Sequence, residues 1–381
     1  MSRSFLVVGP GFRFLSGISV YTCRLANALA AEHRVGVLLL DRLIPARLYP
    51  GGARVGNRLS SLSYDRSISR YGAVDWFWLP RVVPALWRIA RRRPDVIVLQ
   101  WWTAAVLHTY LLIAGFAKLL RIPVVIEFHE TQDTGEAGVR GVASYARRVT
   151  PMLLRLADGA LVHNEHDREL LRRTYGAAHI DRLDVQVAPH GPYDHLTVDQ
   201  PVERDPQDSV TRLLCFGLIR PYKGTEDAVA ALDAMTTQEA ADFHLTVVGE
   251  TWEDWNAPAD RIRASPHGDR IDFVNRYVSD KEAAAYFAAA DVLVLPYRRG
   301  SASGPLHIAM AQGLHVVLYA TGGLVDAVRE YEGATLVPQD DVEALTEALL
   351  KVRPRRAERF ADPHSWSQTC AALEALAARP S

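Results

Sequence analysis

Two loops of this chain carry the residue types that can hold an anion. The first reads Phe216-Gly217-Leu218-Ile219-Arg220-Pro221-Tyr222-Lys223-Gly224; it follows an apolar strand signal at 212–216 and delivers Arg220 and Lys223. The second reads Ser301-Ala302-Ser303-Gly304-Pro305; it follows a strand signal at 292–295 and opens a helix through Leu306 and Met310. The first turn of a helix has N–H groups without intrahelical partners and a partial positive charge, so it attracts anions. Two side-chain cations beside such a start make a pocket for a diphosphate, and hence for a nucleotide-activated substrate. The competing readings are surface charges for Arg220 and Lys223 and a plain turn for 301–304. The strand–loop–helix setting weighs against both.

Other residues could do chemistry but read less sharply. His129 lies between Glu127 and Glu130, and Glu130, Asp133 and Glu136 form an acidic loop that suits either an acceptor or bulk solvent. Trp101 and Trp102 could stack on a sugar or lipid acceptor, or fill the core. His163 and Asn164 follow a strand end. Arg88, Arg91, Arg92 and Arg93 gather near one end of a helix, as a solvated face or as a contact for an anionic membrane surface. A leaving diphosphate needs its growing negative charge met by Mg²⁺ or Mn²⁺ on an Asp-x-Asp pair, or by fixed cations and dipoles. The chain has no Asp-x-Asp, so the second solution fits and no metal is expected.

At 381 residues, the default is two domains. The 49% apolar and 23% charged content is that of a soluble globular protein, and a net charge of −1 gives no reason to expect nucleic acid. Three cysteines, Cys23, Cys215 and Cys370, are too few and too scattered for a disulfide framework or a zinc site. A strand signal begins at Phe5, which leaves no room for a signal peptide and makes the cytoplasm the expected compartment. Residues 96–117 carry no Lys, Arg, Asp or Glu. β-Branched residues open this stretch, and Gln100, Thr103, His108 and Thr109 interrupt it, so it reads as a buried strand, a short loop with both tryptophans and a buried helix rather than a membrane span.

Strand and helix signals alternate throughout, which implies mostly parallel sheets covered on both faces. Strands are expected at 5–8, 35–40, 96–99, 124–128, 160–163 and 185–187, and helices at 20–31, 84–92, 104–120, 142–157 and 167–175, with 41–80 a long loop region. The periodicity stops around 189–206, in favour of Pro, Asp and Gly, which marks a domain boundary. Beyond it, strands are expected at 212–216, 244–248, 271–273, 292–295, 315–319 and 335–337, with helices at 225–235, 280–289, 305–312, 323–330 and 341–352. The expected domains are therefore 1–200 and 207–362, followed by a closing helix in 363–381.

The run FGLIRPYKG, then LTVVGE, then AAADVLVLPY with SASG, then GLHVV, resembles the nucleotide-binding half of family-four retaining glycosyltransferases. Ser16-Gly17-Ile18-Ser19-Val20-Tyr21 is similar to that family's glycine loop, Phe128-His129-Glu130 to its histidine loop, and Ser365-Trp366 to the start of its returning helix. The resemblance implies an α/β GT-B fold, two facing Rossmann-like domains with a deep interdomain cleft. It also implies that Arg220 and Lys223 neutralise the donor diphosphate while Ser301, Ala302, Ser303, Gly304, Pro305 and Leu306 offer backbone N–H groups and sugar contacts. Gly17 and Ile18 would approach the phosphate or sugar, His129 would bond a sugar hydroxyl near the reacting carbon, and Gly249, Glu250, Asn275, Tyr277 and Val278 would border the base. Trp101, Trp102, Glu130 and His163 are the acceptor-side candidates.

One departure stands out. The family's usual pair of glutamates is replaced by Gly300 and Ile308, so the residues that would hold the ribose are not assigned. What the resemblance implies is a metal-independent hexosyltransferase that retains configuration and moves a sugar from a nucleotide sugar to a hydroxyl of a polysaccharide, cell-envelope glycolipid or metabolite, with peripheral membrane contact as an option. Two alternatives stay open: an isomerase like the sugar-nucleotide 2-epimerases, expected to surround the sugar with acidic and His side chains, and a non-catalytic partner subunit that kept the fold.

Overall fold

The computed structural model describes residues 2–11, 17–42, 62–75, 81–130, 140–196, 209–252, 255–300 and 302–378. The chain forms two compact units, Met1–Gly191 with His364–Ser381, and Pro192–Pro363. The first holds β1 (Ser4–Pro10), β2 (Arg34–Arg42), β3 (Ser69–Asp75), β4 (Val96–Trp101), β5 (Val124–Phe128), β6 (Gly159–Val162) and β7 (Asp184–Val187). They pair in parallel in the order β3-β2-β1-β4-β5-β6-β7. Strands β4 and β5 are buried at every position, as the centre of a parallel sheet covered on both faces requires. The helices are α1 (Gly17–Ala30), α2 (Val82–Arg92), α3 (Leu107–Leu119), α4 (Arg140–Leu156), α5 (Glu165–Tyr175) and α6 (Ala177–Ile180).

The second unit holds β8 (Thr211–Phe216), β9 (Phe243–Val248), β10 (Ile271–Val274), β11 (Val292–Leu295), β12 (His315–Tyr319) and β13 (Ala334–Val337). They too are parallel, in the order β10-β9-β8-β11-β12-β13. Between them run α7 (Thr225–Asp233), α8 (Thr237–Ala240), α9 (Ala257–Ala264), α10 (Asp280–Ala289), α11 (Gly304–Ala311), α12 (Gly323–Ala327) and α13 (Val342–Val352). In each sheet the strand order reverses once, at β1/β4 and at β8/β11. Loops leaving the carboxyl ends of strands diverge at such a point and leave a crevice for a ligand.

The last helix, α14 (Trp366–Ala377), packs on the first unit. Its Trp366 ring lies 5.0 Å from that of Tyr21, Thr369 donates to the Pro189 carbonyl at 3.1 Å, and Glu374 meets His33 at 2.9 Å. Residues 192–196 group with the second unit, because Tyr193 packs against Gly304 and Gln312 donates to the Leu196 carbonyl at 3.2 Å. The expected long loop at 41–80 is corrected in part: β3 pairs with β2 there. Its Ser-Arg-Tyr-Gly sequence gave no strand signal, because an edge strand needs fewer apolar positions than a central one. Among the described residues no helix is long and apolar enough to cross a membrane, and 96–117 forms β4, a 3₁₀ turn and most of α3.

Candidate active site

The two loops expected to hold an anion leave adjacent strands, β8 and β11, at the reversal of the second sheet. Arg220 and Lys223 flank a short 3₁₀ turn, Pro221–Lys223, which ends on Gly224. Gly224 has φ 58°, and a Cβ there would lie 2.1 Å from the Pro296 carbonyl oxygen, so only glycine lets this loop press against the one after β11. Lys223 Nζ lies 3.8 Å from the Tyr297 ring centroid, and the Arg220 guanidinium 5.4 Å from the Tyr222 ring and 5.9 Å from Trp252. Aromatic faces thus orient both cations. On the other side, the position a Cβ would take on Gly217 is 3.5 Å from Pro305, at the start of α11.

The helix start offers fewer amides than the sequence implies. Ser303 is the N-cap, and its hydroxyl accepts from the Leu306 N–H at 3.4 Å. Pro305 has no N–H to give. Of 304–306, that leaves Gly304 as the amide donor, which corrects the expected contribution of Pro305 and Leu306. Ala302, Gly304 and Pro305 are half-buried, while Ser303 and Leu306 are buried. Ser301 lies outside the described residues. Of the two positions that carry glutamate in the family, Gly300 is half-buried and Ile308 is packed away.

The expected base-bordering residues follow β9 and β10. A Cβ on Gly249 would sit 1.8 Å from the Gly217 carbonyl oxygen, so packing of one loop on the other already requires glycine there. Glu250 is half-buried; its carbonyl accepts from Ile219 N at 2.9 Å and its carboxylate from Trp252 Nε1 at 3.0 Å. Asn275 Oδ1 accepts from the Thr251 amide and hydroxyl, both at 2.9 Å. Tyr277 is half-buried and Val278 is buried.

One residue that the sequence reading missed holds the cation loop in place. Arg298 Nη1 donates to the Pro221 carbonyl at 3.1 Å and to Glu226 at 2.6 Å, Nη2 to Asp227 at 2.9 Å and Nε to Asp340 at 3.0 Å, while its amide donates to the Tyr222 carbonyl at 2.8 Å. Tyr319 completes the set by donating to Asp227 at 3.1 Å. Burial raises the Asp227 carboxyl, and the Arg298 cation opposes that rise. No local pattern ties Arg298 to residues more than seventy positions earlier; only the pairing of β8 with β11 does so.

In the first unit, Glu127 and His129 alternate on β5 and its exit, so they share the sheet face that carries Tyr21 of α1. Glu127 accepts from Tyr21 Oη and from Gln100 Nε2, both at 2.5 Å. His129 Nε2 lies 2.6 Å from Gln100 Oε1, and its Nδ1 lies 3.3 Å from His163 Nε2. His163 Nδ1 is 3.3 Å from the Ala188 carbonyl. Carbonyl oxygens accept at both ends, so each outer nitrogen carries a proton. Burial favours the neutral form of all three groups: it pushes Glu127 up to about 7, His129 down, and His163 down to about 4. The ligand atoms of Glu127, His129 and His163 lie within 4.8 Å of one another, close enough to hold a metal ion.

Both ring nitrogens of His129 thus already have protein partners. His163 is 8% exposed and belongs to the same network. Trp101 ends β4 at 1% exposure, in the apolar core and 6.0 Å from the Phe128 ring. This corrects both its expected place in a loop and its acceptor role, since a core indole has no face for a sugar. Trp102 is half-buried against the same core, and Glu130 is half-buried. Gly17 and Ile18 open α1, exposed and half-buried respectively. Asp133 and Glu136 lie outside the described residues.

Comparison with known proteins agrees with this geometry. Residues 210–353 match the family described as Glycosyl transferases group 1, and residues 16–191 match the Glycosyl transferase 4-like domain. D-inositol 3-phosphate glycosyltransferase of Pseudarthrobacter chlorophenolicus is 27% identical over 95% of this chain and 90% of its own. GDP-mannose:glycolipid 4-beta-D-mannosyltransferase of Xanthomonas campestris pv. campestris is 34% identical, but the match spans only 26% of this chain and 28% of that protein. Among solved structures, sucrose-phosphate synthase of Thermosynechococcus elongatus superposes with a TM-score of 0.65 at 20% identity, over 98% of this chain and 96% of that one. Two family matches, which between them take in most of the residues, leave one placement: this chain belongs to the family-four glycosyltransferases of GT-B architecture.

Proposed function

We propose that the protein transfers a sugar from a nucleotide-sugar donor to an acceptor hydroxyl, retaining anomeric configuration and using no metal. The observation that carries the reading is the junction at β8/β11, where the loop that carries Arg220 and Lys223 packs through Gly224 on Pro296 and through Gly217 on Pro305, at the start of α11. In this reading the bond between the sugar's anomeric carbon and the diphosphate oxygen breaks, and Arg220, Lys223 and the Gly304 amide meet the charge left on the diphosphate. The acceptor oxygen forms its bond on the face just vacated, and its proton passes to the departing phosphate oxygen. No side-chain nucleophile is needed. His129 bonds a sugar hydroxyl by exchanging one of its present partners. Three thiols without a disulfide fit a cytoplasmic setting; burial pushes Cys23, Cys215 and Cys370 up to about 12, which leaves them unreactive.

Arg220→Ala and Lys223→Ala should each lower kcat on the order of a hundredfold, because each removes a fixed charge aimed at the leaving group. Turnover should survive EDTA, and the linkage formed should keep the donor's anomeric configuration by NMR. Unchanged kcat in both folded variants would overturn the site; recovery of EDTA-treated enzyme only with Mn²⁺ would overturn the metal-free reading. The Glu127–His129–His163 network is the kind of acidic and imidazole cluster that the isomerase alternative calls for. Incubating donor without acceptor separates the two: slow hydrolysis supports the transferase, and an epimerised nucleotide sugar the isomerase.

A further inference from the structure

Three neighbouring helices on one face of the first sheet, α2, α3 and α4, share a composition that none of the motifs above explains. They cover one continuous apolar core, with α2 beside α3 and α3 beside α4. Residues 82–93, 104–122 and 140–157 contain no Asp and no Glu. Their outward positions instead carry Arg91, Arg92 and Arg93 on α2 and its exit, Lys118 and Arg121 at the end of α3, and Arg147, Arg148 and Arg155 on α4, all exposed. Among the described residues the one ion pair these cations make is Lys118 with Asp158, at 3.2 Å. Asp158 also accepts from the Val124 amide, and Asp95, which follows α2, accepts from the Ser4 amide, so the nearest acids are tied to the strand layer.

The same three helices expose large apolar groups at helical spacing. Val83 and Trp87 are 55% and 57% exposed on α2, Leu112 and Leu119 37% and 82% on α3, and Tyr145 and Met152 38% and 53% on α4. These are six of the eight exposed large apolar side chains among the described residues. Helix α5, on the same side of the sheet, shows the ordinary solvated solution: Glu165 and Glu169 pair with Arg168, Arg172 and Arg173. Water does not call for an acid-free face studded with Trp, Leu and Met. An anionic interface does: the cations meet headgroup phosphates while the apolar groups enter the acyl boundary.

We infer that the outer face of α2, α3 and α4 docks on an anionic lipid bilayer, the cations binding its surface and Trp87, Leu119 and Met152 inserting. Each basic residue near such a surface contributes roughly fivefold to partitioning, and an apolar insertion adds a salt-resistant share. The inference is independent of the proposed reaction, because its test reads binding and not turnover. The full chain should sediment with vesicles containing phosphatidylglycerol and stay in solution with pure phosphatidylcholine. Arg91→Glu with Arg148→Glu should lower the partition coefficient at least tenfold. Trp87→Ser with Leu119→Ser and Met152→Ser should lower it comparably and abolish the binding that persists at high salt. All five positions are exposed, so melting temperature should stay close to wild type in both variants. The inference fails if the two vesicle types bind equally, if neither binds, or if folded variants bind like wild type. It fails equally if lipid-free protein is a dimer that the serine variant makes monomeric, since the face would then belong to a second copy.

Discussion

Arg298 places one planar cation among four acceptors, and that arrangement has consequences at the scale of single atoms. A lysine keeps the charge but cannot reach Pro221, Glu226, Asp227 and Asp340 together, because its ammonium is a point and the guanidinium a fork. Arg298→Lys should therefore cost about 1 kcal/mol of stability, the side chain being partly exposed, and should loosen the cation loop. Donor KM should rise severalfold, and a wild-type KM in the variant would show that the brace has no bearing on binding. Glu127 gives a different prediction. Between pH 4.5 and about 7 the folded chain binds more protons at Glu127 than the unfolded chain does, so this carboxyl's contribution to stability declines as pH rises through that window. His163, driven from 6.5 to about 4, acts in the opposite sense from pH 4 to 6.5, so the two oppose each other until 6.5 and only the carboxyl acts above it. Glu127→Gln removes the carboxyl part. Its unfolding free energy relative to wild type should thus improve from pH 6.5 to 8, by at most about 1.4 kcal/mol per pH unit. Urea titrations at the two pH values check this; a difference that does not change with pH would refute it. The strand-end placement of Arg220, Lys223 and His129 was legible in the sequence because they sit in short motifs that follow apolar runs. Gln100, Tyr21 and Arg298 were not, because each acts through a residue far away in sequence.

At the scale of elements, the start of α11 shows how cap and site share one set of atoms. Ser303→Ala should cost about 1 kcal/mol by removing the hydroxyl that the Leu306 amide bonds, while Ser303→Asn, which can cap, should stay within a few tenths of wild type. Equal melting temperatures for wild type and the alanine variant would show that the cap contributes nothing. The same helix explains what periodicity could and could not reveal. Central strands β4, β5 and β11 announced themselves as apolar runs rich in β-branched residues, since burial on both faces leaves few polar positions, Gln100 and Glu127 among them. Edge strand β3 and the short helices α6, α8 and α9 did not, because packing on a single side selects few residues. That Pro305 has no amide to give was legible in the sequence, but the engagement of the Leu306 amide was not, because it depends on the rotamer by which Ser303 turns back onto its own helix.

At the scale of the whole molecule, the first unit is discontinuous in sequence: its last helix comes after every residue of the second. Leu373, Leu376 and Ala377 of α14 are buried, and Trp366 fills the space beside Gly191, where even a Cβ would lie 2.5 Å from the indole. Fully burying a leucine contributes ~1.5–3 kcal/mol, so removing α14 withdraws a large part of a typical stability of ~5–15 kcal/mol. A chain stopped after Pro363 should lose protection of residues 1–191 in limited proteolysis while 209–363 stays resistant; protease resistance throughout would show that the helix is dispensable. That arrangement also fixes an order of events at the ribosome. As the polypeptide emerges, the early sheet must wait, unsealed, while the later one has all its strands and can close on its own. Chaperone demand during synthesis should therefore fall on the amino-terminal half, though it is the half made first.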